Sequence, residues 1–141
     1  ALTKPKKKKK EARGHKEWLI PANPKYYDVV SAFKEERIID WKQSSDIRVG
    51  DTVYMYVAKP VGAMLYKCTA VEVGIPYEGA HEELKIRMLM KIRRDYMYPQ
   101  DTFTFEVLKS YGVFAVRGPR SMPNGLKHAA DRFEALHKSE E

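Results

Sequence analysis

The chain has 141 residues, 43% hydrophobic and 32% charged, the size and balance of one folded domain; a second independent core and a wholly disordered chain are both excluded. No apolar run approaches the roughly 18 residues of a membrane-spanning helix, and no apolar signal-type stretch stands near the N-terminus, so neither membrane insertion nor secretion is expected. Cys68 is the single cysteine, which rules out an intramolecular disulfide and a cysteine-rich zinc site and fits a reducing, cytoplasmic setting.

The formal charge is +7, but its distribution matters more than its size. Eight of the 26 Lys and Arg residues and one of the 19 acids fall in residues 1–16, which leaves 18 of each sign for residues 17–141. The body is formally neutral, and the excess sits in a lysine-rich arm with almost no apolar content, expected to be a disordered, solvated tail or linker. Such an arm binds polyphosphate by counterion release and carries no sequence information. Specificity has to come from residues 17–141, read as one domain.

Within that domain, Trp18-Leu19-Ile20 before Pro21-Ala22-Asn23-Pro24 reads as a first strand stopped by a loop. Tyr26, Val30 and Phe33 recur at helical spacing and predict a helix over 26–37. Ile38 to Trp41 is a second apolar burst, and Lys42 to Asp46 favours loop because its short polar side chains compete for backbone hydrogen bonds. Gly50-Asp51 turns into a strand over 52–57, whose faces, Val53/Met55/Val57 and Tyr54/Tyr56, are both apolar, as in a small closed barrel. A strand over 63–73 points Tyr66, Cys68 and Ala70 inward. Residues 74–83 read as a connection, and 85–93 alternate with period two. A further strand is expected over 101–108, a loop over 117–125, and a helix over 126–137 carrying Leu126, Ala129, Ala130, Phe133 and Leu136 on one stripe. The sum is an α+β domain with five or six antiparallel, strongly curved strands and a helix near each end.

Little in this pattern supports catalysis. The four histidines, His15, His81, His128 and His137, have no partner at metal-ligand spacing, so no metal is expected, and no phosphate-binding glycine loop or nucleophile elbow occurs. Cys68 and His81 form a conceivable nucleophile and base, but a mid-strand inward thiol is ordinarily an inert small hydrophobe. Glu82, Glu83 and Asp40 read as solvated surface acids. No catalytic residue and no cofactor is assigned.

The aromatic residues are more informative. Trp18, Tyr26, Tyr27, Trp41, Tyr54, Tyr56, Tyr66 and Tyr77 all fall in the first 77 positions. Core packing accounts for each of them alone. Trp41, between an apolar burst and a loop offering Gln43, Ser44 and Ser45, is also placed to stack a planar ligand whose polar edge its neighbours would read, as extruded bases are held.

The stretches Trp18 to Pro24, Ile39-Asp40-Trp41, Val49 to Val57 and Leu65 to Cys68, followed by Arg117 to Ser121 and the last helix, together resemble the EVE domain of the PUA-like superfamily, related to YTH-type readers of modified bases. The resemblance implies a small curved antiparallel β-barrel flanked by helices, without catalytic activity, that binds DNA or RNA carrying a modified base. It also implies an associated nuclease or ATPase domain of a modification-dependent restriction system, or an RNA-related one. By position it assigns Trp41 as the pocket aromatic and Asn23, Ser44 and Ser45 as polar readers, and it implies that Arg120, with Ser121 beside it, approaches phosphate or base. Tyr56 is expected as a second stacking aromatic beside Trp41. Gln43-Ser44-Ser45 stands where some relatives have a more basic loop. An RNA-modifying enzyme or accessory subunit, and a protein-interaction domain, are the alternative readings.

Overall fold

The computed structural model describes residues 14–77 and 88–137. Most of the basic arm, His81, Glu82, Glu83 and the first residues of the strand expected over 85–93 lie outside them. Six strands are described: β1 (Glu17–Ala22), β2 (Ile38–Lys42), β3 (Thr52–Val57), β4 (Ala63–Pro76), β5 (Met88–Met97) and β6 (Arg120–Ser121). Three helices accompany them, α1 (Val29–Glu35), α2 (Phe105–Ser110) and α3 (Asn124–His137).

They form one sheet in the order β2-β5-β4-β3-β1-β6. Every neighbouring pair is antiparallel except β1 and β3, which run parallel. The α+β class holds, but the expected antiparallel barrel needs correction on two points. The sheet is mixed, because the chain from β1 to β3 passes through α1 and β2 and returns in the same direction. It is also not closed, since β2 and β6 end the order and do not pair with each other among the described residues.

Apolar residues on both faces of β3 therefore have a different cause from the one expected. One face carries Trp18, Ile20, Val53, Met55, Val57, Tyr66, Cys68, Met90 and Ile92, packed with Val29 and Phe33 of α1 and with Trp41. The opposite face carries Leu19, Tyr54, Met64 and Tyr98, packed with Leu108 of α2 and with Leu126 and Ala130 of α3. A sheet covered on both faces needs apolar residues at consecutive positions. Tyr66, Cys68 and Ala70 are buried as expected. Cys68 is a free thiol whose burial pushes its pKa far up.

The helix expected over 26–37 is shorter. Tyr26 N–H and Tyr27 N–H both donate to the Asn23 carbonyl, at 3.0 and 3.2 Å, and hold these tyrosines in a turn. Asp28 then caps α1, accepting from Ser31 N–H at 3.1 Å. The strand expected over 101–108 is instead α2. Thr104 caps it by accepting from Val107 N–H at 3.3 Å, a hydrogen bond that favours a helical start over continued extension. The final helix forms two residues earlier than expected, and the loop over 117–125 contains β6.

Asp51 has a structural weight that its turn motif did not reveal. It is 2% exposed and accepts hydrogen bonds from Lys16 N–H at 3.1 Å, Trp18 Nε1–H at 3.0 Å and Arg48 N–H at 3.0 Å. It thereby ties the entry of β1 to the turn before β3. Lys16, placed by sequence in the arm, also accepts from Thr52 N–H through its carbonyl and sets its ammonium 4.1 Å from the Trp18 ring. On the opposite face, Tyr98 Oη–H donates to Glu134 at 2.7 Å and Lys67 meets the same carboxylate at 3.3 Å, which joins β4 and the segment after β5 to α3. Among the described residues no helix is long and apolar enough to cross a membrane.

Candidate functional site

β1 and β2 both feed the core on the α1 face, yet no hydrogen-bonded ladder joins them. Between them lies a cleft of about 430 Å³ including its open mouth, lined by Ile20, Pro21, Trp41, Lys42, Ser44, Ile47, Met90 and residues 117–119. Ile20, Trp41, Ile47 and Met90 belong to the core, so the cleft reaches down to it.

Strand parity shows which main-chain groups are left to face the cleft. The Lys16 and Ala22 carbonyls accept from Thr52 and Ala58 N–H, so the even-numbered residues of β1 direct their main chain toward β3. The Glu17 carbonyl accepts from Met122 N–H, so the odd-numbered ones face β6. Leu19 opposes Arg120, and the next pair on that register would be Pro21 with Gly118. Proline has no N–H to give, so the ladder stops there, as expected for a proline at an exposed strand edge. The Pro21 carbonyl is left pointing along the cleft side of β1.

The same argument applies to β2. The Arg37 carbonyl accepts from Arg94 N–H and Gln43 N–H donates to the Met88 carbonyl, so the odd-numbered residues bond to β5. Lys42, even-numbered and lining the cleft, turns its N–H and C=O to the free edge. The two walls thus offer an acceptor without a donor at Pro21 and one of each at Lys42. A planar ligand with a polar edge can hydrogen-bond both strand edges, which no ladder joins among the described residues.

Trp41 lies on β2 opposite Met90. It is 8% exposed, meets the Tyr27 ring edge to face at 5.2 Å and 82°, and is at once a core residue and a cleft wall. Burial, followed by the Asp40 charge, raises the Tyr27 pKa. Ser44 lines the cleft, whereas Ser45 does not; the Ser45 carbonyl accepts from Ile47 N–H at 2.8 Å within the loop. Gln43, whose amide was expected to face a ligand, is consumed in positioning. Its Nε2 donates to the Ser45 and Ile47 carbonyls, both at 3.2 Å, and its Oε1 accepts from Gly74 N–H at 2.7 Å. It pins the loop after β2 to β4.

Other expected residues fall elsewhere. Asn23 Oδ1 accepts from Lys25 N–H at 2.9 Å in the exposed turn before α1, outside the cleft. Tyr56 lies on the opposite face of the sheet against Phe105, at 5.8 Å between ring centroids, because residues 55 and 56 point to opposite sides. Arg120 and Ser121 form β6 against Trp18 and Leu19, and Arg120 Nε donates to the Ser121 carbonyl at 3.4 Å. The residues of the late loop that do line the cleft are Arg117, Gly118 and Pro119. Arg117 and Lys42 are both exposed, and neither has an ion pair among the described residues. Sequence reasoning missed Pro21, Lys42 and Arg117, although a proline inside a strand pattern is itself a signal of a strand edge. Among the described residues the cleft lining holds no carboxylate, imidazole or thiol, and no three His, Cys, Asp or Glu side chains cluster as metal ligands would.

No protein-family model matches the sequence, and no curated protein resembles it closely enough to count as a match. Solved structures do resemble it. The NMR structure of Rpa0253 from Rhodopseudomonas palustris superposes with a TM-score of 0.59 at 12% identity, over 86% of this chain and 94% of that one. The crystal structure of ASCH from Zymomonas mobilis gives 0.56 at 9% identity, over 80% and 92%. A hypothetical protein from Leishmania major gives 0.61 at 14% identity, over 90% and 99%. Likeness at such low identity speaks for the fold alone. The six-stranded sheet with its three helices therefore shares its fold with these structures, an ASCH protein among them.

Proposed function

We propose that this chain is a non-catalytic nucleic-acid-binding module, of EVE type within the PUA-like superfamily, that takes one modified nucleobase of DNA or RNA into the cleft between β1 and β2. The observation that carries the reading is the cleft itself. It has an aromatic wall at Trp41, and unpaired strand edges at Pro21 and Lys42 that can hydrogen-bond a flat heterocycle. Stacking on Trp41 supplies affinity for any base, and hydrogen bonds to the base edge supply the choice among them. Ser44 lines the same cleft, and the exposed Arg117 and Lys42 line it too, two cations for the phosphates flanking an extruded base. A cleft lining without carboxylate, imidazole or thiol favours binding over catalysis, so any chemistry would belong to an associated nuclease or ATPase domain in a restriction or RNA-related system.

The test is a titration of fluorescent oligonucleotides, single- and double-stranded, DNA and RNA, with and without 5-methylcytosine, 5-hydroxymethylcytosine or N6-methyladenine, at two salt concentrations. One modified oligonucleotide should bind at least about tenfold more tightly than its unmodified counterpart. That ratio should persist as salt rises, while both affinities fall through loss of phosphate contacts. Equal binding of every modified and unmodified pair at both salt concentrations would refute the reading.

A further inference from the structure

We infer that the exposed turn before α1 carries a second subsite, where Tyr27, extended by Tyr26, stacks the base that neighbours the one held in the cleft; this rests on the reading of the cleft given above. Tyr27 is 43% exposed and Tyr26 61%, so neither ring is spent on the core. The Tyr27 ring touches Trp41 edge to face at 5.2 Å, and Trp41 lines the cleft. One ring width therefore separates the two surfaces. Bases along one strand lie about 3.4 Å apart when stacked, and farther apart when one is splayed out, so the next nucleotide reaches Tyr27 while the first occupies the cleft.

The turn is preorganised for this. The Asn23 carbonyl accepts from Tyr26 and Tyr27 N–H, and the Asn23 side chain accepts from Lys25 N–H at 2.9 Å. Asn23, expected to read the base itself, thus fixes the platform beside it. Lys25 brings a cation to the same turn, with its Nζ 5.8 Å from the Tyr26 ring centroid. Of the carboxylates nearby, Asp40 pairs with Lys91 at 2.8 Å, while Asp28 accepts from Ser31 Oγ–H at 2.7 Å and keeps its negative charge, with Lys25 as the cation of the same turn. Two aromatic rings and a cation on an ordered turn suit a sequence-tolerant contact with single-stranded nucleic acid.

The experiment compares trinucleotides in which the modified base that binds best is flanked either by thymidines or by abasic residues, so that the phosphates are the same and only the flanking bases differ. The full-length protein should bind the thymidine-flanked form about fivefold or more tightly. Tyr27→Ala should erase that advantage and leave the affinity for the abasic-flanked form unchanged. Tyr27→Phe, which keeps the ring, should preserve it, and thermal melting confirms that each variant is folded. No advantage of flanking bases in the parent protein would overturn the second subsite while leaving the cleft reading intact. A Tyr27→Ala variant that loses affinity for both trinucleotides equally would overturn it too, by making Tyr27 a wall of the first subsite. Failure of the parent to bind either trinucleotide would overturn both readings.

Discussion

Replacing Trp41 by alanine separates two contributions that meet in one side chain. The indole is 8% exposed and shares the core with Ile20, Ile47 and Met90. Its loss should cost about 3–5 kcal/mol of stability, the usual range for truncating a buried tryptophan, with the edge contact to Tyr27 worth a further ~0.5–1.5 kcal/mol. Domains of this kind are stable by about 5–15 kcal/mol, so Trp41→Ala sits near the limit of folding and cannot by itself report on binding. Trp41→Phe keeps a ring in the core with less area to stack on a base. Urea unfolding followed by circular dichroism should shift by at least about 1 M for Trp41→Ala, given slopes of about 1–3 kcal/mol/M, and by clearly less for Trp41→Phe. Oligonucleotide titration should then show loss of stacking on the modified oligonucleotide, about 1–3 kcal/mol or roughly 5- to 150-fold for Trp41→Ala where it remains folded, and a smaller loss for Trp41→Phe. A weaker loss should appear on its unmodified counterpart, which is held through phosphates. An unfolding midpoint equal to the parent's would show that Trp41 is not a core residue. A folded variant with undiminished discrimination would show that the ring does not hold the base.

Three further outcomes follow from the packing. Asp51→Ala removes a buried acceptor of three hydrogen bonds and should destabilise by about 3–5 kcal/mol, with Asp51→Asn losing less; an unchanged urea midpoint for the alanine variant would contradict the role given to Asp51. Cys68, fully buried with its thiol pKa raised by burial, should react with a disulfide reagent only on the timescale of unfolding, and stoichiometric labelling within seconds of mixing would mean that β4 has another register. Alkaline pH should destabilise the fold, because burial raises the pKa of Tyr54, Tyr66, Tyr98 and Cys68. Unfolded, these groups release protons near pH 10 for tyrosine and about 8.5 for cysteine. Folded, they hold them, so their contribution is complete below those values and is lost as pH rises through the higher folded ones. Denaturant midpoints should therefore fall from about pH 8.5 upward and more steeply past about pH 10, and a midpoint that rises over this range would refute the assignment.

What the sequence disclosed and what it withheld divide along the range of the interactions involved. The strand β3, the inward row of Tyr66, Cys68 and Ala70 and the stripe of α3 from Leu126 to Phe133 were legible, because period and side-chain face are local properties of five to ten residues; Leu136, expected on the same stripe, is 68% exposed because it lies in the last turn, past the core that Leu126 and Ala130 reach. The signal for α2 was also local, a threonine cap at Thr104 ahead of Glu106 and Leu108, but the apolar residues around it matched a strand as well as a helix. Trp41 could be singled out because a large ring beside a polar loop is visible in a short window. The site it belongs to could not. Its second wall is Pro21, and the relevance of Pro21 depends on β6, nearly a hundred residues later, ending its pairing with β1 at Leu19 and Arg120. One missing N–H at that register ends the β1–β6 ladder, and the cleft lined by Pro21 is where a planar ligand can bond to strand edges that no ladder occupies among the described residues. Asn23 and Tyr56 were misplaced for the same reason. Residue type suggested a polar reader and a second aromatic wall, whereas strand parity and the turn before α1 decided which atoms face the cleft.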